Sequence, residues 1–199
     1  MSHLRGSIKK IDEALSLKWI KLNKITYIDC KGNERFWESA SRTTKKGDTD
    51  GVDILATVKK DGKKYLIVVV QYRVPVDNLV IEFPAGLVDN DENFVNSAIR
   101  ELKEETGYRT TPDKVLLTSP ILPLECGMSC ANARMVVIDL EETICEEQEL
   151  EGSENIDIFY LPMDNLFNEL EELRKKLNCV VSIQLYTFAL GLNFNNFFK

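Results

Sequence analysis

The sequence predicts an α/β protein with a mixed sheet lying between helices, and three observations carry that expectation. Apolar residues make up 44% of a 199-residue chain, enough for one core, or for one core plus a small appendage. Strand-like and helix-like segments alternate irregularly, which does not suit a doubly wound parallel sheet. A polar, glycine-bearing stretch, "KKGDTDG" at 45–51, divides an N-terminal piece from the rest. Residues 1–50 are therefore expected to form a small β-rich extension and residues 51–199 the main domain.

In chain order, Ile8, Ile11 and Leu15 are spaced for one helical face, so a short helix is expected over 7–16. "WIKLNKITYID" and "RFWESASRTT" read as two strands around the turn "CKGN". "VDILATVKK", the turn "DG" and "KKYLIVVVQYR" form a second hairpin, whose second arm is apolar enough for a central strand. "NLVIEFPAG" is a further short strand, with Pro75 and Pro84 at strand edges, where a missing N–H does little harm. An acidic helix follows, with Asn93 as its N-cap and Gly107 as the left-handed stop after Thr106. Then "KVLLTSPIL", "ARMVVIDLEE" and "IDIFYLP" read as strands, and "MDNLFNELEELRKKL" and "SIQLYTFALGL" as helices. No internal repeat is visible, which excludes a solenoid.

Net charge is −7 and no basic stripe occurs, which argues against a binder of polymeric DNA or RNA while leaving a metal-escorted small anion open. No stretch of about twenty apolar residues suggests a membrane span, and the N-terminus lacks a leader pattern. The expected location is the cytoplasm, with the nucleus also open. Cys30, Cys126, Cys130, Cys145 and Cys179 lack metal-type pair spacing, so reduced, mostly buried thiols are expected. His3, the lone histidine, sits in a terminus expected to fray, which leaves zinc sites and histidine catalysis poorly supported. The densest charge run, "EETICEEQELEGSE" at 141–154, reads as a solvated loop.

The acidic helix raises a physical question. Phe94, Val95, Ala98, Ile99 and Leu102 fall on one arc, while Glu101, Glu104 and Glu105 share the adjoining one. Carboxylates about 4 Å apart repel by roughly 1 kcal/mol in water and about 4 kcal/mol when half-buried. Such an arc either faces solvent or holds a hard cation, Mg²⁺ or in its place Mn²⁺. Arg100 can pair with Glu92 and so hold the preceding loop, and Gly86 lets backbone come close to the ion.

Gly86, five residues, Glu92, seven residues, then Arg100-Glu101-Leu102-x-Glu104-Glu105-x-Gly107-Tyr108 resembles, without a gap, the Nudix box of the Nudix hydrolase superfamily. With average residue usage that pattern arises at roughly one start position in a billion. The resemblance implies a Nudix fold, an α/β/α sandwich around a mixed sheet. It also implies hydrolysis of a nucleoside diphosphate linked to another group, with Mg²⁺ held by Glu101, Glu104 and Glu105. Shared cations would neutralise the charge with which a pyrophosphate repels its attacker.

Beyond the box, "WIKLNKITYID", "WESASRTTKKGDTDGV", "VVVQYRVPVDNLVIEFPAGLVD" and "YTFALGL" resemble segments of the eukaryotic-type ADP-sugar pyrophosphatases. That resemblance implies ADP-ribose as substrate, AMP and ribose 5-phosphate as products, and a domain-exchanged homodimer. Trp19 and Trp37 match tryptophans that sandwich the adenine, one from each subunit; core or interface anchoring is their other reading. Glu38 matches a reader of the adenine edge, and Arg42 and Arg73 match holders of the pyrophosphate, though Arg73 also suits a strand-end salt bridge. Ala85 matches a residue whose carbonyl completes the metal shell, and Leu87 a substrate neighbour that equally suits apolar packing. The general base matches Glu154, with Glu151 and Glu149 as close competitors.

Departures fall at Phe94, in place of a frequent proline, at Val74, and in "PLECGMSCAN". The last holds Glu125, Gly127 and Met128, expected near the terminal ribose, and leaves ADP-ribose, ADP-glucose and ADP-mannose open. Two other readings stand beside this one: a sanitiser of oxidised guanine nucleoside diphosphates, and a non-catalytic ADP-ribose-binding Nudix module.

Overall fold

The structure, a computed structural model, describes residues 4–45, 47–89, 92–140 and 145–194. His3 and residues 141–144 of the acidic run lie outside the described residues. The chain divides into two compact units, Met1–Asp50 with Ile121–Ala133, and Gly51–Pro120 with Arg134–Lys199. Residues 121–133, which the sequence reading leaves in the main domain, thus join the N-terminal piece.

In the first unit β1 (Ser7–Ser16), β2 (Ile20–Ile28) and β3 (Glu34–Arg42) form an antiparallel sheet in that order. The helix expected over 7–16 is therefore a strand. Its register slips between Ile8 and Lys10, so that Ile8 opposite Tyr27 and Ile11 opposite Ile25 point to one face. A bulge places residues three apart on one side of a strand, which imitates helical spacing. Asp29 closes the β2–β3 turn, its carboxylate accepting from the N–H groups of Lys31 and Asn33, each at 2.9 Å.

The 121–133 segment folds back on itself, with β9 (Leu122–Pro123) pairing antiparallel to Asn132 and Ala133, the first residues of β10 (Asn132–Leu140). It docks on β3, where Ala40 N donates to Met128 O at 2.9 Å and Cys130 N to Ala40 O at 3.3 Å. Asp50, buried, accepts from Asn132 N at 3.0 Å and from Lys45 Nζ at 2.9 Å, which ties both ends of the unit together.

The second unit is built on a mixed sheet. Its strands are β4 (Gly51–Lys60), β5 (Lys63–Arg73), β6 (Asn78–Glu82), β7 (Ala85–Leu87), β8 (Val115–Thr118), the rest of β10, β11 (Ile156–Pro162) and β12 (Val180–Val181). They run in the order β12-β6-β5-β4-β10-β8, with β11 on β5 and β7 on β4, and β12 pairs parallel to β6. One face carries α1 (Phe94–Thr106), where Val52, Ile54, Val58, Ile67, Ala98, Leu102 and Ile138 are buried together. The other carries α2 (Leu166–Leu177) and α3 (Ile183–Asn193), packed by Leu66, Val68, Val70, Ile81, Leu170 and Leu185. Alternation along β5 sends Ile67 to one core and Leu66 and Val68 to the other, giving the expected α/β/α sandwich.

One departure from a regular sheet matters for chemistry. β4 and β5 pair only from Thr57 opposite Leu66 to Lys60 opposite Lys63. Beyond that they splay, β4 taking β7 and β5 taking β6. Pro84, lacking an N–H, sits at the crossing between β6 and β7 and gives its carbonyl to Ile54 N at 2.8 Å.

The thiols are free but not mostly buried: Cys30, Cys126, Cys130 and Cys145 are exposed and Cys179 is buried. Turns and loops hold Cys30, Cys126 and Cys130, and Cys145 lies in the segment that bridges to Tyr108 past the end of the acidic helix. Among the described residues no helix is long and apolar enough to cross a membrane.

Candidate active site

α1 begins at Asn93, whose side-chain oxygen accepts from Val95 N and Asn96 N at 3.0 Å each, and ends at Gly107 with φ 73°. These caps fix which residues face the sheet. Ala98, Leu102 and Glu105 share the buried stripe, so the acidic arc is graded in depth. Glu105 is 2% exposed, and the side chains of Glu101 and Glu104 are 13% and 31% exposed.

Arg100 organises this arc. Its NH1 donates to Glu101 at 2.8 Å and Glu104 at 2.9 Å, while NH2 reaches Glu92 at 3.2 Å and the Leu87 carbonyl at 3.1 Å. Ser97, fully buried, adds a bond to Glu92 at 2.8 Å. The expected Arg100–Glu92 pair is therefore present, and it clamps the loop after β7 to the helix. Gly86 is needed for a neighbouring carboxylate: a Cβ there would overlap the Glu101 side chain. Ala85 donates its N–H to Glu105 Oε2 at 2.9 Å.

Burial pushes Glu105 up to about 8; the Ala85 N–H opposes the rise, Glu101 and Glu154 add to it, and Arg73 lowers it. Burial also raises Glu101, against Arg100 and with help from Glu104 and Glu154. Among the described residues no three His, Cys, Asp or Glu side chains converge as a ready cation cage, because Arg100 draws off Glu101 and Glu104 while Ala85 holds Glu105. The donor set nevertheless fits a hard divalent cation. Three carboxylates lie within about one turn, burial makes two of them seek positive charge, and each has a second oxygen besides the one so engaged.

The splay between β4 and β5 adds two residues that sequence reasoning missed, Asp53 and Glu82, beside the expected Arg73. Arg73, at the end of β5, donates Nε to Glu82 on β6 at 2.7 Å. The strand-end salt bridge is thus real, and it uses Nε, whereas NH1 and NH2 carry four further donors. Asp53 on β4 lies opposite Ala85 and is pushed up to about 6 by burial, with Glu82 adding and Arg73 opposing. The available signal was an acid inside each of two apolar runs, "VDILATV" and "VIEFPAG".

The acidic run is not simply solvated. The last four carbonyls of a helix need outside donors, and all four of α1 have them. Lys103 O accepts from Gly107 N at 2.8 Å, Glu104 O from Glu149 N at 2.8 Å, Glu105 O from Gln148 Nε2 at 2.6 Å, and Thr106 O from Cys145 Sγ at 3.3 Å. Lys103 pairs with Glu149 at 2.6 Å and holds that carboxyl below its ordinary range. Glu154 sits in a turn with Glu151, donating its N–H to Glu151 O and accepting from Glu151 N, both at 2.9 Å. Glu154 is half-buried while Glu149 and Glu151 are exposed.

In the first unit Trp37 is 50% exposed on β3 and donates Nε1 to Gly127 O at 3.2 Å. With Ile8, Ile25 and Tyr27 it lines a concavity of about 500 Å³. Glu38 and Arg42 are exposed on the opposite face of β3, because neighbouring strand residues alternate. Trp19, 58% exposed, precedes β2, and Lys18 Nζ lies 4.3 Å from its ring centre. Ile20 pairs with Arg42 and Ile25 with Trp37, so the two tryptophans are separated by six strand positions, about 20 Å of backbone. Glu125 accepts from Met128 N at 3.1 Å and Ser129 N at 2.8 Å through its carbonyl, and Met128 is 62% exposed.

Residues 48–178 match the NUDIX domain. The chain is 38% identical over 172 residues to the ADP-ribose pyrophosphatase of Saccharomyces cerevisiae, covering 83% of this chain and 73% of that protein. It is 30% identical over 200 residues to the ADP-sugar pyrophosphatase of Mus musculus, covering 98% and 89%. A solved ADP compounds hydrolase shares the fold with TM-score 0.59 at 18% identity, over 86% of this chain and 95% of that one.

Proposed function

The chain belongs to the Nudix family, and from that membership we propose that it hydrolyses the diphosphate bond of ADP-sugars, chiefly ADP-ribose to AMP and ribose 5-phosphate. The observation that carries this reading is the graded acidic arc of α1, with Glu105 buried and pushed toward protonation beside Glu101. Nudix hydrolases generally use divalent metal ions. Glu101, Glu104 and Glu105, with the Ala85 carbonyl, would hold Mg²⁺, which when bound offsets the negative charge of the diphosphate.

The chain's own residues supply the rest. Arg73, its Nε held by Glu82, presents a fixed guanidinium edge to phosphate oxygens, and Arg42 serves the same charge. Glu154 takes the proton of the attacking water. Two features favour it over its competitors: its charge is felt by both Glu101 and Glu105, and Glu149 is tied to Lys103 and held acidic. Leu87 and the Glu125–Met128 turn border the sugar phosphate in this reading.

Trp19 and Trp37 stack on the adenine, with Glu38 at its edge. Two rings flanking one base stand about 7–8 Å apart, far less than the backbone separation of the two tryptophans within one chain. That disparity supports a homodimer in which each copy supplies one ring. So does one apolar face of the first sheet, where Ile8, Ile11 and Trp37 lie together and are each at least half exposed.

Incubation with Mg²⁺ and a panel of ADP-ribose, ADP-glucose, ADP-mannose and an oxidised guanosine diphosphate, followed by product separation, tests the proposal. AMP from ADP-ribose at the highest rate is expected. Absence of AMP from every ADP-sugar at saturating metal refutes it.

A further inference from the structure

Gln148 makes two bonds through one nitrogen. Its Nε2 donates to Glu105 O at 2.6 Å and to Ile156 O at 3.0 Å. Glu105 is the deepest carboxylate of α1, and Ile156 is the first residue of β11. Residues 149–155, which carry Glu154, run from Gln148 itself to Ile156, so both ends of that loop are gathered at one amide. Glu149 N on Glu104 O fastens the same end a second time. Inside the loop, the reciprocal Glu151–Glu154 turn leaves Glu154 little freedom beyond that of its anchors.

We infer that Gln148 is a positioning residue for hydrolysis, fixing the Glu154 loop to the backbone of Glu105 so that the proton acceptor and the helix bearing the carboxylates move as one body. The inference rests on the reading of Glu154 as the base. A side chain that only capped the helix would need one bond, to α1. The second bond, to β11, lies on the far side of the Glu154 loop and adds nothing to the cap. Misplacement of a reacting group by about 1 Å can cost roughly 100-fold in rate, so a loop held at its base by one amide is sensitive to that amide.

Gln148→Met keeps the volume and removes the donor. Steady-state hydrolysis of ADP-ribose with Mg²⁺ is expected to show kcat lowered about 10- to 100-fold with KM within about 2-fold. In the Glu154→Gln background the same change should cost nothing more, since groups acting through one another are not additive. Multiplying losses in the double variant overturn the inference, because they are what loosening α1 alone would produce. Gln148→Asn retains the amide but falls short of spanning both carbonyls. It is the gentler variant should Gln148→Met unfold, and it should lose rate with a melting temperature near that of the parent. If both Gln148 variants turn over normally while Glu154→Gln is slow, Gln148 has no positioning role and the base reading survives. If Glu154→Gln is itself as fast as the parent, both fall.

Discussion

Replacing Gly86 by alanine should separate catalysis from folding. The glycine lies in β7, where alanine meets no backbone penalty and gains about 0.4–1 kcal/mol from a stiffer unfolded chain. Its new methyl group would occupy the space of the Glu101 carboxylate, which must swing away and give up its 2.8 Å bond to Arg100. A charge-assisted bond of that kind contributes about 1.5–3 kcal/mol, so the net loss of stability should be about 1–2 kcal/mol. For a chain of this size that is a fall of roughly 2–8 °C in melting temperature. Turnover should suffer far more, because one transition-state contact is worth about 100- to 1,000-fold. Parallel measurements of AMP release against magnesium concentration and of thermal unfolding would show both effects. A variant within about 3-fold of the parent rate, with an unchanged metal requirement, would show that the placement of Glu101 does not matter for turnover.

Glu105→Gln should lower turnover at least ~100-fold at saturating Mg²⁺, read as AMP formed per enzyme. Asp53 provides a pH test: its folded value, about 6, stands above the ordinary 3.8, so the folded state holds that proton more tightly. Its contribution is fully present below about pH 3.8 and is lost as pH rises through about 6. Asp53→Asn should therefore flatten the decline, gaining about 2–3 kcal/mol relative to the parent by pH 7–8 in denaturant titrations; parallel curves for the two proteins would exclude this. Trp37→Ala should raise KM for ADP-ribose between ~5- and ~150-fold with kcat nearly held, the range set by stacking on one base face. An unchanged KM would return Trp37 to a packing role.

Local signals were legible. Asn93, Gly107 and the turn "DG" each announce a backbone event within a few residues of themselves, and α1 and the β4–β5 hairpin fall where those signals put them. The strand at Ser7–Ser16 was not legible, because a bulge beside Ile8 gives β structure the apolar spacing of a helix. The exposed thiols escape the linear order for a related reason: cysteine's preference for the interior is a bulk tendency, and turns at Cys30 and Cys126 override it. Within the site, the Arg100–Glu92 pair could be read because both ends lie in one motif. Asp53 feels the charge of Glu82 only where β4 and β5 part, and Gln148 reaches Glu105 across more than forty residues, so neither relation leaves a pattern in the linear order.

The segment across the end of α1 sets unequal limits on how its residues can drift. Glu146 and Glu149 serve the helix end through amide N–H groups, to Gly107 O and Glu104 O, and any residue but proline offers the same hydrogen. Their carboxylates add only exposed ion pairs with Arg109 and Lys103, of small worth. Position 148 has no such latitude, since two carbonyls depend on its side chain. The helix end thus leans on backbone hydrogens at two of these positions and on a particular side chain at a third.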